Sequence, residues 1–262
     1  MKTRIISGIA ICALLFSCAS EQTKLQRSRE KDPKYQYDVG TVYLGNSRAD
    51  DAIRHFSSSM RLDPNFYLAY NGIGLAYMMK GQFDISEKYF LKCLEVKPDF
   101  TEARNNLGMV YQETEQLGNA ERQFRIASED MTYSSRHLAY YNLARLYYLQ
   151  EKDQEALDCV QTAVKMRTEF GLGYHLQGVL YNKRGQYEDA INSYKLAQKT
   201  IRDDVNLSYN LGEAYFNNKQ MAMAERIFEE IYPNVTDAEM KTKIDEYLKA
   251  IKKLAYETRF TL

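Results

Sequence analysis

The 262-residue chain carries 35 Lys and Arg against 35 Asp and Glu, so its formal net charge is zero. Without a net charge, no overall field draws the chain to nucleic acid or to an anionic surface. Its 13 Gly and 4 Pro are few, a composition that favours helices over β-structure or disorder. Four cysteines in a chain of this length do not form the dense framework of a small disulfide-stapled fold.

The first residues are typical of a secretory signal peptide. A basic start precedes the apolar run 5–16, which is too short to cross the hydrocarbon core of a bilayer as a helix. Ser17 and Cys18 follow, and they resemble the bacterial lipobox, in which a small residue precedes an acylated Cys that begins the mature chain. The resemblance implies a lipoprotein signal peptide over residues 1–17 and lipidation of Cys18. Ordinary cleavage after Ala19 is the alternative.

The lipobox resemblance also implies a location in the cell envelope. Ala19 rather than Asp follows the anchor residue, which favours the outer membrane, facing the periplasm. Several acyl chains would hold the protein there permanently. Residues 18–32 are polar and nearly free of large apolar side chains, so they cannot bury enough surface to offset chain entropy. We expect them to form an acylated flexible tether.

An internal repeat of 34 to 36 residues dominates the rest of the sequence. Each copy places a small residue, an aromatic residue three positions later and a second small residue nine positions after that. The six matches are Gly40/Tyr43/Ala52, Gly74/Tyr77/Ser86, Gly108/Tyr111/Ala120, Ala144/Tyr147/Ala156, Gly178/Tyr181/Ala190 and Gly212/Tyr215/Ala224. This pattern resembles the tetratricopeptide repeat, a hairpin of two helices.

A second aromatic residue follows the later small residue in five of the six copies, and Val160 takes its place in the fourth. Small residues let two helices approach closely, and the aromatic rings fill the space beside them. The resemblance implies an all-α fold, a right-handed α-solenoid of six tetratricopeptide-type helical hairpins plus a C-terminal capping helix. The predicted repeats span residues 33–234, as 33–66, 67–100, 101–136, 137–170, 171–204 and 205–234, followed by the capping helix and tail in 235–262.

Local signals predict where some helices begin and end. Gly81 and Gly185 are expected in turns between helices, and Asn65 and Asp99, each after a proline, are predicted N-caps. The segment 236–239, Thr-Asp-Ala-Glu, resembles a capping box in front of apolar residues at helical spacing. It predicts the capping helix. A partner-binding amphipathic helix is the alternative for this segment.

The sequence lacks the motifs of catalysis and of metal binding. His55, His137 and His175 fall at different phases of different repeats, without a zinc-binding spacing. Glycine pairs ending at Gly74 and Gly173 lack the third glycine and the preceding strand of a dinucleotide loop, so they are predicted to serve helix packing. We therefore expect no enzymatic activity, no metal, no cofactor and no small-molecule substrate.

The first helix of each repeat carries an apolar stripe at the positions that, in tetratricopeptide proteins, line the inner face. Such a stripe is one face of a helix, and its Met and Tyr side chains suit a surface that adapts to a peptide. The predicted partner-binding groove consists of Leu68, Asn71, Leu75, Met78, Met79, Asn105, Asn106, Met109, Leu138, Tyr141, Asn142, Arg145, Tyr148, Leu149, Leu172, Leu176 and Val179. Packing between neighbouring helices is the alternative for any single residue. The carboxylate clamp of the family is not matched in any three successive repeats.

The lipobox, tether, six repeats and capping helix together resemble the pilotin lipoproteins of type IV pilus systems. Asp130, Tyr133 and Arg136, in the longer junction between repeats three and four, match that family, although Ser134 stands where it usually has Pro. The resemblance implies a non-enzymatic adaptor that binds an outer-membrane secretin subunit and promotes its localisation and assembly. A general periplasmic scaffold for cell-wall enzymes and a component of an outer-membrane assembly machine remain alternatives.

Overall fold

A computed structural model describes residues 28–259 of the chain, with side chains as far as residue 257, and contains no strand in that range. Six helical hairpins and a final helix follow one another. Their helices are α1 Pro33–Gly45, α2 Ala49–Leu62, α3 Tyr67–Met79, α4 Phe83–Val96, α5 Thr101–Glu113, α6 Leu117–Glu129, α7 Arg136–Leu149, α8 Asp153–Met166, α9 Gly171–Lys183, α10 Tyr187–Gln198, α11 Val205–Asn217, α12 Met221–Ile231 and α13 Ala238–Arg259, with a 3₁₀ turn at Tyr232–Asn234. The all-α fold of helical hairpins with a C-terminal helix, predicted from the sequence, is confirmed. The predicted signal peptide, Cys18 and most of the tether lie outside the described residues.

The chain divides into two compact units, with the boundary between Ala127 and Ser128 near the end of α6. In the first unit, α1 packs with α2 and α3 with α4, and α2 contacts α3 while α4 contacts α5. In the second unit, α7 packs with α8, α9 with α10 and α11 with α12, and successive hairpins stack through α8 with α9 and α10 with α11. Each unit is therefore a stack of hairpins.

The repeated small and aromatic residues meet inside each hairpin. A Cβ atom built on Gly74 would lie 2.7 Å from the nearest ring carbon of Phe90, closer than carbon atoms pack. Four more glycines face a ring in the same way: Gly40 with Phe56, Gly108 with Phe124, Gly178 with Tyr194 and Gly212 with Phe228. The fourth repeat has Ala144 and Val160, both fully buried, at these positions. The smaller Val side chain leaves room for the Cβ atom of Ala144.

The hairpin turns share one backbone conformation that the sequence only partly indicates. Gly81 and Gly185 have φ of 68° and 73°, in the left-handed region, as their predicted position in turns requires. The equivalent positions in the other hairpins have the same sign of φ without being glycine: Ser47, Glu115, Glu151 and Lys219, at 58° to 60°. A side chain at such a position costs conformational energy that glycine avoids.

The predicted N-caps Asn65 and Asp99 are wrong by one residue. Helices α3 and α5 begin after Phe66 and Phe100, neither of which supplies a side-chain cap. The Phe66 ring instead packs edge-on against Tyr37, with centroids 5.5 Å apart. Aromatic packing rather than capping therefore accompanies the start of these helices.

Helix α13 covers the apolar side of the last hairpin. Ile244 and Ile251 are buried, and Tyr247 stacks on Phe228 with ring centroids 5.1 Å apart. The predicted capping helix is thus confirmed. Its N-cap is Asp237, whose Oδ1 accepts from the backbone N–H of Met240 at 2.7 Å, rather than the Thr of the predicted capping box.

Candidate partner-binding surface

The second unit contains an open pocket between the first helices of repeats four, five and six. It has a volume of about 350 Å³ and is named here the α7/α9 pocket. Its lining residues are Tyr141, Arg145, Tyr148 and Leu149 on α7, Leu172, His175, Leu176 and Val179 on α9, and Asn210 on α11. The volume falls at the lower end of the range for ligand pockets, so it accommodates a few side chains rather than a folded element.

Helix periodicity explains why α7 supplies four of these residues. Tyr141 and Leu149 lie four positions before and after Arg145, so all three share one face of the helix. The Tyr141 ring packs edge-on against Phe170, with centroids 5.1 Å apart, and this contact fixes its position. Leu149 is 61% exposed and Leu172 is 51% exposed. Exposed apolar side chains thus line the same pocket as Arg145.

The electrostatics of the pocket depend on the protonation state of His175. The Asn210 amide nitrogen lies 2.9 Å from His175 Nε2. An amide nitrogen can only donate, so Nε2 accepts and the ring is neutral. Burial lowers the pKa of His175, while the more distant Asp204 carboxylate acts in the opposite sense. The imidazole is therefore a neutral part of the wall near pH 7.

Arg145 is then the charged residue of this lining set, which contains no Asp or Glu. Within the part of the chain that the structure describes, the arginine ion pairs are those of Arg48, Arg54 and Arg125. Arg145 therefore has no carboxylate partner there. Lys183, at the edge of the pocket, lies 5.6 Å above the Tyr148 ring but is paired.

The partner of Lys183 is Asp153, whose Oδ1 lies 2.8 Å from the ammonium nitrogen. Burial raises the pKa of the Tyr141 hydroxyl, although Arg145 opposes the shift. Tyr141 thus stays protonated and remains a hydrogen-bond donor at neutral pH. The pocket offers an unpaired cation, a phenol donor and apolar side chains together.

The C-terminal helix does not fill this pocket, since none of the lining residues belongs to α13. Tyr247 of α13 instead donates from its hydroxyl to Glu213 Oε1 at 2.8 Å. The other carboxylate oxygen of Glu213 accepts from the Asn182 amide at 3.1 Å. Glu213, one helical turn after Asn210, thus has both carboxylate oxygens hydrogen-bonded within the protein.

The pocket brings together seven of the residues predicted for the groove and adds two. Those predicted are Tyr141, Arg145, Tyr148, Leu149, Leu172, Leu176 and Val179. The sequence reasoning missed His175 and Asn210, although both occupy stripe positions of their helices. Extending the same periodic count to every repeat, without regard to polarity, would have found them.

The predicted asparagines of the stripe are buried. In the first unit the Asn106 amide donates to Asn71 Oδ1 at 3.1 Å, which joins α5 to α3. Asn105 and, in the second unit, Asn142 are also buried. Asn71 and Asn106 thus connect neighbouring helices, the alternative that the sequence left open, and contact of all four asparagines with a partner stays a prediction.

The other predicted groove residues retain surface. Met79 is 49% exposed, and the remaining five are partly buried. These five are Leu68, Leu75, Met78 and Met109 in the first unit and Leu138 in the second. Their role in a groove stays a prediction.

A larger cavity of about 570 Å³ lies beside the connection from α10 to α11. Its lining includes Arg202, Asp203, Asp204 and Glu230. Asp204 serves the fold, because its Oδ1 accepts from the Leu207 N–H at 2.8 Å and caps α11. The cavity is polar, and its acidic groups do not favour an apolar partner.

Residues 28–259 contain neither a metal-binding cluster nor a helix suited to crossing a membrane. No group of three or more His, Cys, Asp or Glu there is placed to hold a metal ion. Cys93 is buried and Cys159 half-buried. Burial raises the pKa of Cys93 to about 12, so its thiol is protonated and unreactive. Among the described helices, none has the length and apolarity to cross a bilayer.

Comparison with known proteins identifies the repeat. Family models described as tetratricopeptide or TPR repeat match residues 67–100, 99–169 and 178–219. The chain therefore contains tetratricopeptide repeats, a helical architecture of protein-binding scaffolds.

Two solved structures have similar folds. Pseudomonas aeruginosa PilF superposes with a TM-score of 0.77 at 14% identity, covering 84% of this chain and 99% of PilF. PilW, a widely conserved type IV pilus biogenesis factor, superposes with a TM-score of 0.72 at 17% identity, covering 81% of this chain and 97% of PilW. At these identities the similarity establishes the fold.

A curated relative is anaphase-promoting complex subunit 3 of Schizosaccharomyces pombe. It is 30% identical over 95 residues, which cover 35% of this chain. The aligned region spans only 14% of that relative's length. The match therefore concerns a stretch of repeats rather than the whole protein.

Proposed function

We propose that the chain is a pilotin, an adaptor without enzymatic activity that is anchored in the outer membrane through lipidated Cys18. It binds a secretin subunit and promotes its localisation and assembly during type IV pilus biogenesis. The observation that carries the proposal is the mutual coverage with PilF, 84% of this chain and 99% of that one. A match of this kind extends over a whole series of hairpins rather than over a single repeat.

The junction that resembles the pilotin family supports the proposal locally. Asp130 Oδ1 accepts from the backbone N–H of Thr132 at 2.8 Å and from its hydroxyl at 2.7 Å. Arg136 Nε donates to the Ser128 carbonyl at 2.8 Å. The residues on which the resemblance depends thus stabilise the two-residue-longer connection into α7. Ser134, where the family usually has Pro, is exposed.

The anchor gives the adaptor its mechanism. A lipid on Cys18 confines the scaffold to the membrane surface, which raises its effective concentration toward a client at the same membrane. The open α7/α9 pocket then covers an apolar segment of the secretin subunit until that subunit assembles. Both the lipid anchor and the pocket are required, since an unanchored scaffold encounters its client only at the low concentration of free protein.

The test separates lipidation from folding. Cys18→Ala should abolish incorporation of radiolabelled palmitate, release the protein from membranes and reduce secretin multimers at the outer membrane, while the helical circular dichroism stays intact. Cys12→Ala is the matched control, because it removes a cysteine from the same signal peptide without touching the lipobox. Normal secretin multimers in the Cys18→Ala strain would contradict the proposed function.

A general periplasmic scaffold is the second candidate. The curated match favours it, because a subunit of an unrelated assembly has higher identity to these repeats than the pilus proteins have. Co-purification from detergent extracts distinguishes the two functions. Recovery of the secretin supports the pilotin, whereas recovery of cell-wall enzymes without the secretin supports the scaffold.

A further inference from the structure

The charge pattern of the α7/α9 pocket restricts the chemistry of its ligand more than a purely apolar groove would. Arg145 provides a cation in the lining, and the nine lining residues include no Asp or Glu. Lys183, whose ammonium lies over the ring of the lining residue Tyr148, is paired with Asp153. Glu213 on α11 accepts hydrogen bonds from Tyr247 and Asn182. Among the residues that the structure describes, the Arg145 guanidinium has no carboxylate partner, so it is available to a ligand.

The apolar side chains lie on both sides of this cation. Tyr141 precedes Arg145 by one helical turn and Leu149 follows it by one turn, while Leu172 faces them from α9 and is half exposed. A ligand that pairs with the guanidinium therefore has apolar wall before and after its charged group. A chain that ended at its carboxylate would cover only one of these sides.

We propose that the α7/α9 pocket binds an extended segment of a partner protein at an internal Asp or Glu flanked on both sides by large apolar side chains. Arg145 receives the carboxylate, and the Tyr141 to Leu149 face and Leu172 receive the flanking side chains. A carboxylate is the natural counterpart of a guanidinium, because its two oxygens match the paired N–H donors. This inference rests on the proposed function, since it names the segment of the client that the adaptor holds.

The experiment uses short peptides blocked at both ends that place a Glu between pairs of Leu side chains. A second peptide has Gln in place of Glu, and a third carries the same apolar side chains and ends in a free carboxylate. Fluorescence polarisation with the purified protein should show the Glu peptide binding about tenfold more tightly than the Gln peptide. It should also bind more tightly than the peptide with the terminal carboxylate.

Variants of the protein test the role of the guanidinium. Arg145→Gln should reduce the preference for Glu over Gln to about onefold, and Arg145→Lys, which keeps the charge, should retain part of it. Arg226→Gln is the matched control, since it makes the same charge change at an exposed position of α12 outside the pocket. Circular dichroism of each variant verifies its fold.

The outcomes separate this inference from the proposed function. Equal binding of the Glu and Gln peptides, no binding of either, or a preference that survives in Arg145→Gln would overturn the pocket assignment. Tighter binding of the peptide with the terminal carboxylate would do the same. If the original protein shows no preference for the Glu peptide but still recovers the secretin from detergent extracts, only the pocket chemistry is refuted. If the original protein prefers the Glu peptide but does not recover the secretin from detergent extracts, only the pilotin assignment is refuted.

Discussion

The close contact between Gly74 and Phe90 allows a quantitative test of how the hairpins pack. Gly74→Ala places a Cβ atom 2.7 to 2.9 Å from three ring carbons of a phenylalanine that is fully buried. Overpacking of this kind costs about 1 to 3 kcal/mol, and the better helix propensity of Ala returns about 1 kcal/mol. We therefore expect a net loss of about 0 to 2 kcal/mol in the free energy of unfolding, where overpacking alone would cost about 1 to 3 kcal/mol.

The matched control is Gly118→Ala in α6, where an added Cβ meets no atom within 4 Å. This variant should be as stable as the original protein or slightly more stable, because only helix propensity changes. Urea denaturation followed by circular dichroism at 222 nm, a wavelength that reports helix content, measures both as shifts of the midpoint at unchanged slope.

A double variant tests the pairing itself, because the fourth repeat already carries Ala144 with Val160. Phe90→Val alone should cost about 2 to 4 kcal/mol through the cavity it leaves. Combined with Gly74→Ala, the loss should be smaller than the sum of the two single losses by at least about 1 kcal/mol. Additive losses, or a Gly74→Ala variant as stable as Gly118→Ala, would refute the packing account.

Three further predictions concern a turn, a histidine and the closing helix. Lys219→Gly should raise the free energy of unfolding by about 0.5 kcal/mol, because the relief of left-handed backbone strain exceeds the entropy that glycine adds to the unfolded chain. Gly185→Lys should lower the free energy of unfolding, because it introduces the same strain. Urea midpoints measure both changes. Burial lowers the pKa of His175, so the unfolded chain binds the extra proton first and the free energy of unfolding should fall as the pH drops below 6.5. Between pH 7.5 and 5.5, the urea midpoint should therefore fall less for His175→Gln than for the original protein. An equal fall in both proteins would contradict a neutral His175. Tyr247→Phe should lower the free energy of unfolding by about 1 to 3 kcal/mol, because the partly buried Glu213 loses a donor, and an unchanged melting curve would contradict that contact.

The sequence predicted the hairpins well because their packing is encoded at fixed spacing. Gly74 and Phe90 lie within one repeat, and their partners recur at the same offset in other repeats. Even the exception was informative, since Val160 replaces the ring where Ala144 replaces glycine. Contacts of this kind depend on short separations along the chain, which a periodic pattern records directly.

Contacts between repeats were harder to predict. The Asn71 to Asn106 hydrogen bond and the Asn210 to His175 contact join residues 35 positions apart, on different hairpins. A stripe count places such residues on the inner face but does not show which of them turn toward one another. Asn71 was predicted as a groove residue from its stripe position, and its buried hydrogen bond to Asn106 on α5 was not foreseen.

The helix ends were mispredicted for a different reason. Propensity rules favour Asn65 as an N-cap. In the structure the Phe66 ring packs against Tyr37, and helix α3 begins after Phe66. Left-handed turns at Glu115 and Lys219 also lack any sequence signal, because neither residue is glycine or asparagine. In both cases the surrounding hairpin overrides the local preference.

The most direct test of the account is whether the α7/α9 pocket is the surface that holds the client. Leu149→Asp combined with Leu172→Asp places two charges on its exposed rim, and Leu196→Asp on α10 is a control at another exposed leucine. Pull-down from detergent extracts should recover the secretin with the original protein and the control, but at least about tenfold less with the double variant, at equal helical content. Equal recovery with the double variant would contradict the claim that this pocket binds the partner.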